Sequence, residues 1–310
     1  MRILITGASG FVGRALTDHL MAQGHEVTGH SRRVQSDFPN PCLACDFSDT
    51  KALSTALTKT DHVIHAAGRK SGTRVGDFMR DNADLPVHLF QLAQQAGVQG
   101  FTQLSSATAL LDLSAKGQSD MPETQAANCQ VPWAYARAKA LAEHRLIEAA
   151  KRGGTRLHIL RPCLIWGGQA FFHTRLKNGN FRRIGQSAHG HTTVHIDTLT
   201  DFIAHSLRYE GPQQVFHPQD AGQLPFDQFL TQLSTRLSAP VPGLVPPPLA
   251  SALAGMLGAA RRLSGNTQDY GFQGVRALFG HAFTTSDALS REALNWQPPL
   301  SVAAAMERVS

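Results

Sequence analysis

Tyr135 and Lys139 stand four positions apart and together could move a proton. They fall in the run 133–150, rich in Ala, Leu, Glu, Lys and Arg, which predicts a helix that puts both side chains on one face. A phenol titrates near 10 and is no base at neutrality unless positive charge stabilises its phenolate. The Lys139 ammonium can supply that charge. Upstream, Phe101-Thr102-Gln103-Leu104-Ser105-Ser106 reads as a strand with two hydroxyls at its carboxyl end. A third group, Thr6-Gly7-Ala8-Ser9-Gly10-Phe11-Val12-Gly13, joins the apolar Ile3-Leu4-Ile5 to an amphipathic run. Its glycines would let backbone approach a pyrophosphate, whose charge then sits at the positive end of the following helix. The spacing is Gly-x-x-Gly-x-x-Gly, not the commoner Gly-x-Gly-x-x-Gly, and alone it is a weak signal.

These groups need elements to hold them. Phe11, Val12, Ala15, Leu16 and Leu20 recur at helical spacing until Gly24, and His25–Gly29 follows as a second strand. Such βαβ units build an open sheet whose ligands lie at the carboxyl ends of the strands. At the end of the second strand stands His30-Ser31-Arg32-Arg33, with no carboxylate for the ribose hydroxyls of NAD. A hydroxyl and two guanidinium groups favour the 2′-phosphate of NADP, although arginines there also read as a solvated loop. Cys42–Cys45 predicts a third strand ending at Asp46, and Asp49–Leu57 a helix capped by Asp49 or Ser48. The strand 61–68 runs into Ala66, Ala67 and Gly68, small enough to lie beneath a flat ring; His62 and His65 read as strand histidines.

Residues 82–97 have helical periodicity, with the regular helix starting near Pro86 and stopping at Gly97. The stretch 111–131 reads as a loop over the site, and Leu157–Leu160 as a further strand before Arg161-Pro162. Beyond Gly168 the βα rhythm breaks, although Val194–Asp197 is strand-like and 198–209 helical. The expected class is therefore α/β, a doubly wound parallel sheet with a smaller C-terminal substrate lobe. Residues 1–165 form the first unit, with 191–217 returning to it, and 166–190 with 218–310 form the lobe.

The 310 residues carry a formal charge of +6, scattered without aromatic interleaving, which points to an anionic small molecule and away from nucleic acid. Four cysteines, at 42, 45, 129 and 163, make no disulfide framework; Cys42-Leu43-Ala44-Cys45 lacks a second pair, so no metal is expected and a cytoplasmic setting fits. No segment of signal-peptide length opens the chain. The apolar run 249–260 is shorter than the roughly 20 residues that span a bilayer and reads as a packed helix, so no stable membrane insertion is expected.

Taken in order, Thr6-Gly7-x-x-Gly10-x-x-Gly13, Asp46, His65-Ala66-Ala67, Asn82, Ser105-Ser106, Tyr135-x-x-x-Lys139, Arg161-Pro162 and Val194-His195-Ile196-Asp197 resemble the extended short-chain dehydrogenase/reductase family, also called the NAD-dependent epimerase/dehydratase family. The resemblance spans nearly the whole chain and implies a Rossmann-type sheet. It implies Tyr135 as acid/base, Lys139 as the residue that lowers the tyrosine pKa and holds the nicotinamide ribose, and Ser106 as the hydroxyl orienting the substrate carbonyl. Ser105 and Thr108 are alternatives to Ser106. Asn82 matches a supporting asparagine, Asp46 an adenine contact with Phe47 beside it. Gly7, Ser9, Gly10, Phe11, Val12, Gly13 and Pro162 match cofactor contacts. The implied reaction passes a hydride between NADP, with NAD as the alternative, and a hydroxyl or carbonyl carbon of a small organic substrate. A homodimer is the implied assembly.

Two other readings stand beside it. One is a nucleotide-sugar epimerase or dehydratase that retains NAD, with Arg175, Lys177, Arg182 and Arg183 for a diphosphate. The other is a non-catalytic NADP-binding sensor or assembly factor, which the intact Tyr/Lys pair opposes. The sequence departs from the family at Pro86, at Trp166 where a tyrosine is frequent, and at Ala109-Leu110-Leu111 where an aromatic and a glycine are usual. These departures weaken transfer of substrate identity and leave the proton-transfer group intact.

Overall fold

The computed structural model describes residues 1–33, 41–72, 74–115, 117–168, 170–184, 189–212, 214–246 and 281–309, together with positions 249, 252 and 256. Strand β1 (Arg2–Thr6) buries four consecutive residues, the pattern of a strand covered on both faces. It is followed by α1 (Phe11–Ala22), β2 (Glu26–Ser31), β3 (Cys42–Ala44), α2 (Thr50–Leu57) and β4 (His62–His65). Asp49 caps α2 by accepting from the Ala52 amide. Then come α3 (Val75–Met79), a π turn over Arg80–Asp84, α4 (Leu85–Gln95), β5 (Gly100–Leu104), β6 (Gln118–Met121), α5 (Ala134–Ala150), β7 (Arg156–Leu160) and β8 (Leu164–Trp166). The chain continues through α6 (Phe171–Lys177), β9 (Arg182–Ile184), β10 (Thr193–His195), α7 (Ile196–Ser206), β11 (Val215–Phe216), α8 (Phe226–Arg236) and β12 (Gly243–Val245). It ends in β13 (Phe283–Thr285), α9 (Ala288–Leu294) and α10 (Val302–Glu307).

Seven strands form one parallel sheet in the order β11-β7-β5-β4-β1-β2-β3. This is the doubly wound Rossmann-type α/β fold. Alternate residues of β1 face opposite cores. Ile3 and Ile5 join Leu16, Phe202 and Trp296 on one side, whereas Leu4 joins Val63, Phe90, Phe101 and Leu146 on the other. A third core, with Trp166, Phe229, Leu230 and Val302, lies under α8 and α10.

The regular helix α4 starts at Leu85 with Pro86 in its first turn, as expected, and two stretches depart from the sequence reading. Helical backbone starts at Val75, ahead of Pro86, and crosses the proline through the π turn. Pro86 has no amide to donate, and the Leu85 amide reaches back five residues to the Arg80 carbonyl. The stretch 111–131 is not all loop, because β6 pairs with β13, a partner far along the chain that no local pattern reveals. The 249–260 run lies mostly outside the described residues; among those described, no helix is long and apolar enough to cross a membrane.

Candidate active site

The glycine turn lies against the end of β4. Gly7 has φ +72°, and a Cβ there would stand 2.7 Å from the Ala67 nitrogen; a Cβ on Gly13 would stand 2.2 Å from the Gly7 carbonyl oxygen. Only backbone without side chains fits this approach. Gly10 precedes α1 with no side chain capping the first amides of the helix. The turn thus forms one wall of a cleft of about 1160 Å³ at the carboxyl edge of the sheet, into which Ser9, Gly10, Phe11 and Val12 face. Ala66, Ala67 and Gly68 continue that wall. Gly68 is required to be small, since a Cβ would come within 2.8 Å of Asn82 Oδ1 and 3.6 Å of Lys139 Nζ.

At the end of β2, Ser31 and Arg32 line the cleft. The Ser31 hydroxyl donates to the Arg33 carbonyl, while the Arg33 side chain is exposed outside the lining. Asp46 faces the same region. It accepts from the Ser48 amide at 2.9 Å and hydroxyl at 2.8 Å, bonds that hold its carboxyl below the usual range, with Arg32 adding to the effect. Phe47 packs on His30 with ring centroids 4.3 Å apart. Sequence reasoning passed over His30, a buried wall residue whose pKa burial lowers; its position one residue before Ser31 was the available signal.

At the other end of the cleft, α5 presents Tyr135 and Lys139. Lys139 Nζ donates to the Leu104 carbonyl at 2.7 Å and lies 6.0 Å from the Tyr135 ring centroid. Burial lowers its pKa to about 8, with Glu143 opposing and Lys70 reinforcing the shift. Burial raises the Tyr135 pKa, and a hydrogen bond with Ser106 pulls it back. Ser106 caps the 3₁₀ turn Ala107–Leu110, its Oγ accepting from the Thr108 amide at 3.2 Å and hydroxyl at 2.9 Å. Ser105, one residue earlier, donates to Glu143. The other Glu143 oxygen accepts from Arg161 Nε at 2.9 Å and Nη2 at 2.7 Å, in an ion pair whose side chains are 1% and 3% exposed.

Asn82 is brought to the rear of the cleft wall, not to its lining. Its Oδ1 accepts from the Arg69 amide at 2.8 Å and its Nδ2 donates to the Arg69 carbonyl at 2.9 Å, which clamps the segment after Gly68. That segment adds Arg69, Lys70 and Ser71 to the lining, none of which the sequence reading singled out. Above the site, Pro162, Ile165, Ala170 and Phe172 form an apolar ceiling. Cys163 joins it with a thiol that burial pushes up to about 12, so it offers no thiolate. Trp166 departs from the family's tyrosine yet keeps a polar tip, its Nε1 donating to Asp220 Oδ2 at 2.8 Å. Burial raises that carboxyl to about 6, against the pull of the His195 amide and the Trp166 bond.

A parallel sheet with a glycine-lined cleft and a Tyr/Lys pair in its wall defines the class as an NAD(P)-dependent enzyme of the extended short-chain dehydrogenase/reductase type. The chain belongs to the NAD dependent epimerase/dehydratase family, whose model matches residues 3–201. It is 27% identical over 264 residues to a 2-alkyl-3-oxoalkanoate reductase of Stenotrophomonas maltophilia, covering 77% of each chain. It is 30% identical over 181 residues to a 3-beta-hydroxysteroid dehydrogenase of Mycolicibacterium neoaurum, covering 54% of this chain and 48% of that relative. Among solved structures, a UDP-glucose 4-epimerase of Thermotoga maritima superposes with TM-score 0.75 at 18% identity, over 100% of this chain and 97% of that one. This last likeness is one of fold.

Proposed function

We propose that the protein is an NADP-dependent oxidoreductase acting on a hydroxyl or carbonyl carbon of a small organic substrate. The observation that carries this reading is the convergence of Ser106, Tyr135 and Lys139 on the cleft that the glycine turn opens. The residues present fit the cofactor, because the Gly7 and Gly13 positions admit only bare backbone. Gly7, Gly10 and Gly13 would hold its pyrophosphate, Asp46 and Phe47 its adenine, Ser31 and Arg32 its 2′-phosphate, and Lys139 its nicotinamide ribose. When bound, NADP supplies the hydride donor or acceptor.

The chain's own groups handle the proton. Tyr135 Oη exchanges it with the substrate oxygen, and Lys139, anchored on the Leu104 carbonyl, keeps positive charge beside the phenolate. Ser106 accepts from Thr108, which leaves its own O–H to turn toward Tyr135 and, when substrate is bound, to the substrate oxygen. The apolar ceiling suits a hydrocarbon part better than a nucleotide. Arg175, Lys177, Arg182 and Arg183 are absent from the lining, and Arg182 and Arg183 donate to backbone carbonyls. The reductase and dehydrogenase relatives agree with this choice.

Tyr135→Phe should lower kcat by about 10²- to 10⁴-fold while NADPH affinity, read by fluorescence titration, stays within about twofold. Substantial remaining turnover rejects the tyrosine's role. Arg32→Ala should weaken NADPH and leave NADH unchanged; equal affinities in the parent protein remove the NADP preference. Stoichiometric NAD released on denaturation, together with turnover of a UDP-sugar, would establish the epimerase reading instead.

A further inference from the structure

Arg175, Lys177, Arg182 and Arg183 take no part in the cleft, and they lie where the chain has no carboxylates. Between Glu148 and Asp197 the sequence contains no acidic residue, and none again between Asp227 and Asp269. The first stretch carries Arg175 and Lys177 on α6 and Arg182 and Arg183 on β9; the second carries β12. The fold joins the two, because β9 and β12 pair in parallel, with Arg182 beside Gly243 and Arg183 beside Leu244. The turn after α6 meets the approach to β12, where a Cβ on Gly179 would lie 3.6 Å from Pro240 Cγ. Arg182 Nη1 donates to the Phe181 carbonyl and Arg183 Nε to the Pro242 carbonyl, each at 3.0 Å. A carbonyl orients a guanidinium and leaves its charge in place.

The β12 segment also exposes large apolar side chains. Val241, Leu244, Leu249 and Met256 are 49%, 51%, 52% and 62% exposed. Positions 249, 252 and 256 are helical and exposed, and their spacing of three and four sets them in one stripe that begins four residues after Val245. Apolar residues scattered singly over a surface need no explanation, but a cluster of them does. A cluster set among cations, with no carboxylate interspersed, is matched by a layer that is anionic at its surface and hydrocarbon beneath.

We propose that the β9/β12 ribbon and the end of α6 are a peripheral docking surface for an anionic lipid bilayer. Val241 and Leu244 enter the headgroup layer, with Leu249 and Met256 following, while Arg175, Lys177, Arg182 and Arg183 meet lipid phosphates. Among the described residues no helix is long and apolar enough to cross a membrane, so this contact lies on the bilayer. Helix α6 carries Phe172 of the cleft ceiling one turn before Arg175, which places the bilayer next to the apolar end of the cleft. The docking stands independently of the reaction assigned to that cleft.

The purified chain is co-sedimented with vesicles of phosphatidylcholine alone and with about 30% phosphatidylglycerol, in about 0.1 M salt. Partitioning should be at least about tenfold stronger onto the anionic vesicles and should fall by at least about tenfold in about 0.5 M salt. A basic residue at such a surface contributes about fivefold, so Lys177→Gln should weaken binding about fivefold and Arg182→Gln with Arg183→Gln about 25-fold. Lys51→Gln with Lys59→Gln, the same change of charge on α2 and just after it, should weaken binding by less than about threefold. Leu244→Ser should weaken it about tenfold, because the apolar contact is lost with no change of charge. Circular dichroism and NADPH affinity of every variant should match the parent. Absence of binding, equal binding to neutral and anionic vesicles, or an equal loss in the α2 pair overturns the proposal. So does a concentration-dependent dimer in sedimentation velocity that Leu244→Ser dissociates, since the face then belongs to a second copy of the chain.

Discussion

Lowering the pH toward 5.5 should destabilise this protein, and the number of protons taken up can be worked out from its buried histidines. Burial pushes His62, His65 and His217 down to about 3, and His158, His173 and His191 to about 4. In the unfolded chain all six return to about 6.5. Their neutral form is favoured by the fold, so their contribution is complete above about pH 6.5 and is lost as the pH falls toward 4. Asp220 acts in the opposite sense, because its folded pKa of about 6 lies above the unfolded carboxylate value, and the native state holds its proton first. At pH 5.5 each histidine costs on the order of 1 kcal/mol and Asp220 returns somewhat less, for a net loss of several kcal/mol, roughly 5 to 8, relative to pH 7.5. A whole domain is stable by only about 5–15 kcal/mol. Urea unfolding followed by circular dichroism at pH 7.5, 6.5, 6.0 and 5.5 gives the slope of stability against pH, expected at about four to five protons at the acid end. His62→Gln, which can still reach the Thr102 hydroxyl that His62 Nε2 meets at 2.8 Å, should reduce that slope by about one proton. A slope of one proton or less refutes the argument, since the histidines would then titrate alike in both states.

Three variants probe the groups that hold the site. Glu143→Gln leaves Arg161 buried without its anion and should cost about 3–5 kcal/mol in urea unfolding, whereas Glu143→Leu with Arg161→Met should recover most of the loss. A single-variant loss under about 1 kcal/mol would show that the pair does not bear on the fold. Gly13→Ala puts a Cβ 2.2 Å from the Gly7 oxygen and should raise the Kd for NADPH by about 100-fold; an unchanged Kd would remove the glycine turn from the cofactor site.

The sheet was legible because its strands are short apolar runs broken by glycine and small residues, each a local signal, and the Tyr135/Lys139 pair because two residues on one helix turn must share a face. What stayed hidden depends on partners. Ser105 and Ser106 are neighbours of the same type that both line the cleft, and it is the buried Glu143–Arg161 pair that takes up the Ser105 hydroxyl, while the Ser106 oxygen accepts from Thr108. Asn82 matched a motif, but its clamp on Arg69 needs the π turn, a change in hydrogen-bond offset that periodicity does not encode. Arg32 and Arg33 looked equivalent, and the bend at the end of β2 brings one into the cleft lining and leaves the other outside it. Lys70 shows the limit most clearly. In Gly68-Arg69-Lys70-Ser71 the arginine and the lysine read alike, and it is the Asp81 carboxylate that neutralises the first and leaves the second to line the cleft without an acidic partner among the described residues. A sequence therefore names the groups able to do chemistry, while the charge a ligand meets is fixed by which of those groups the fold has already paired.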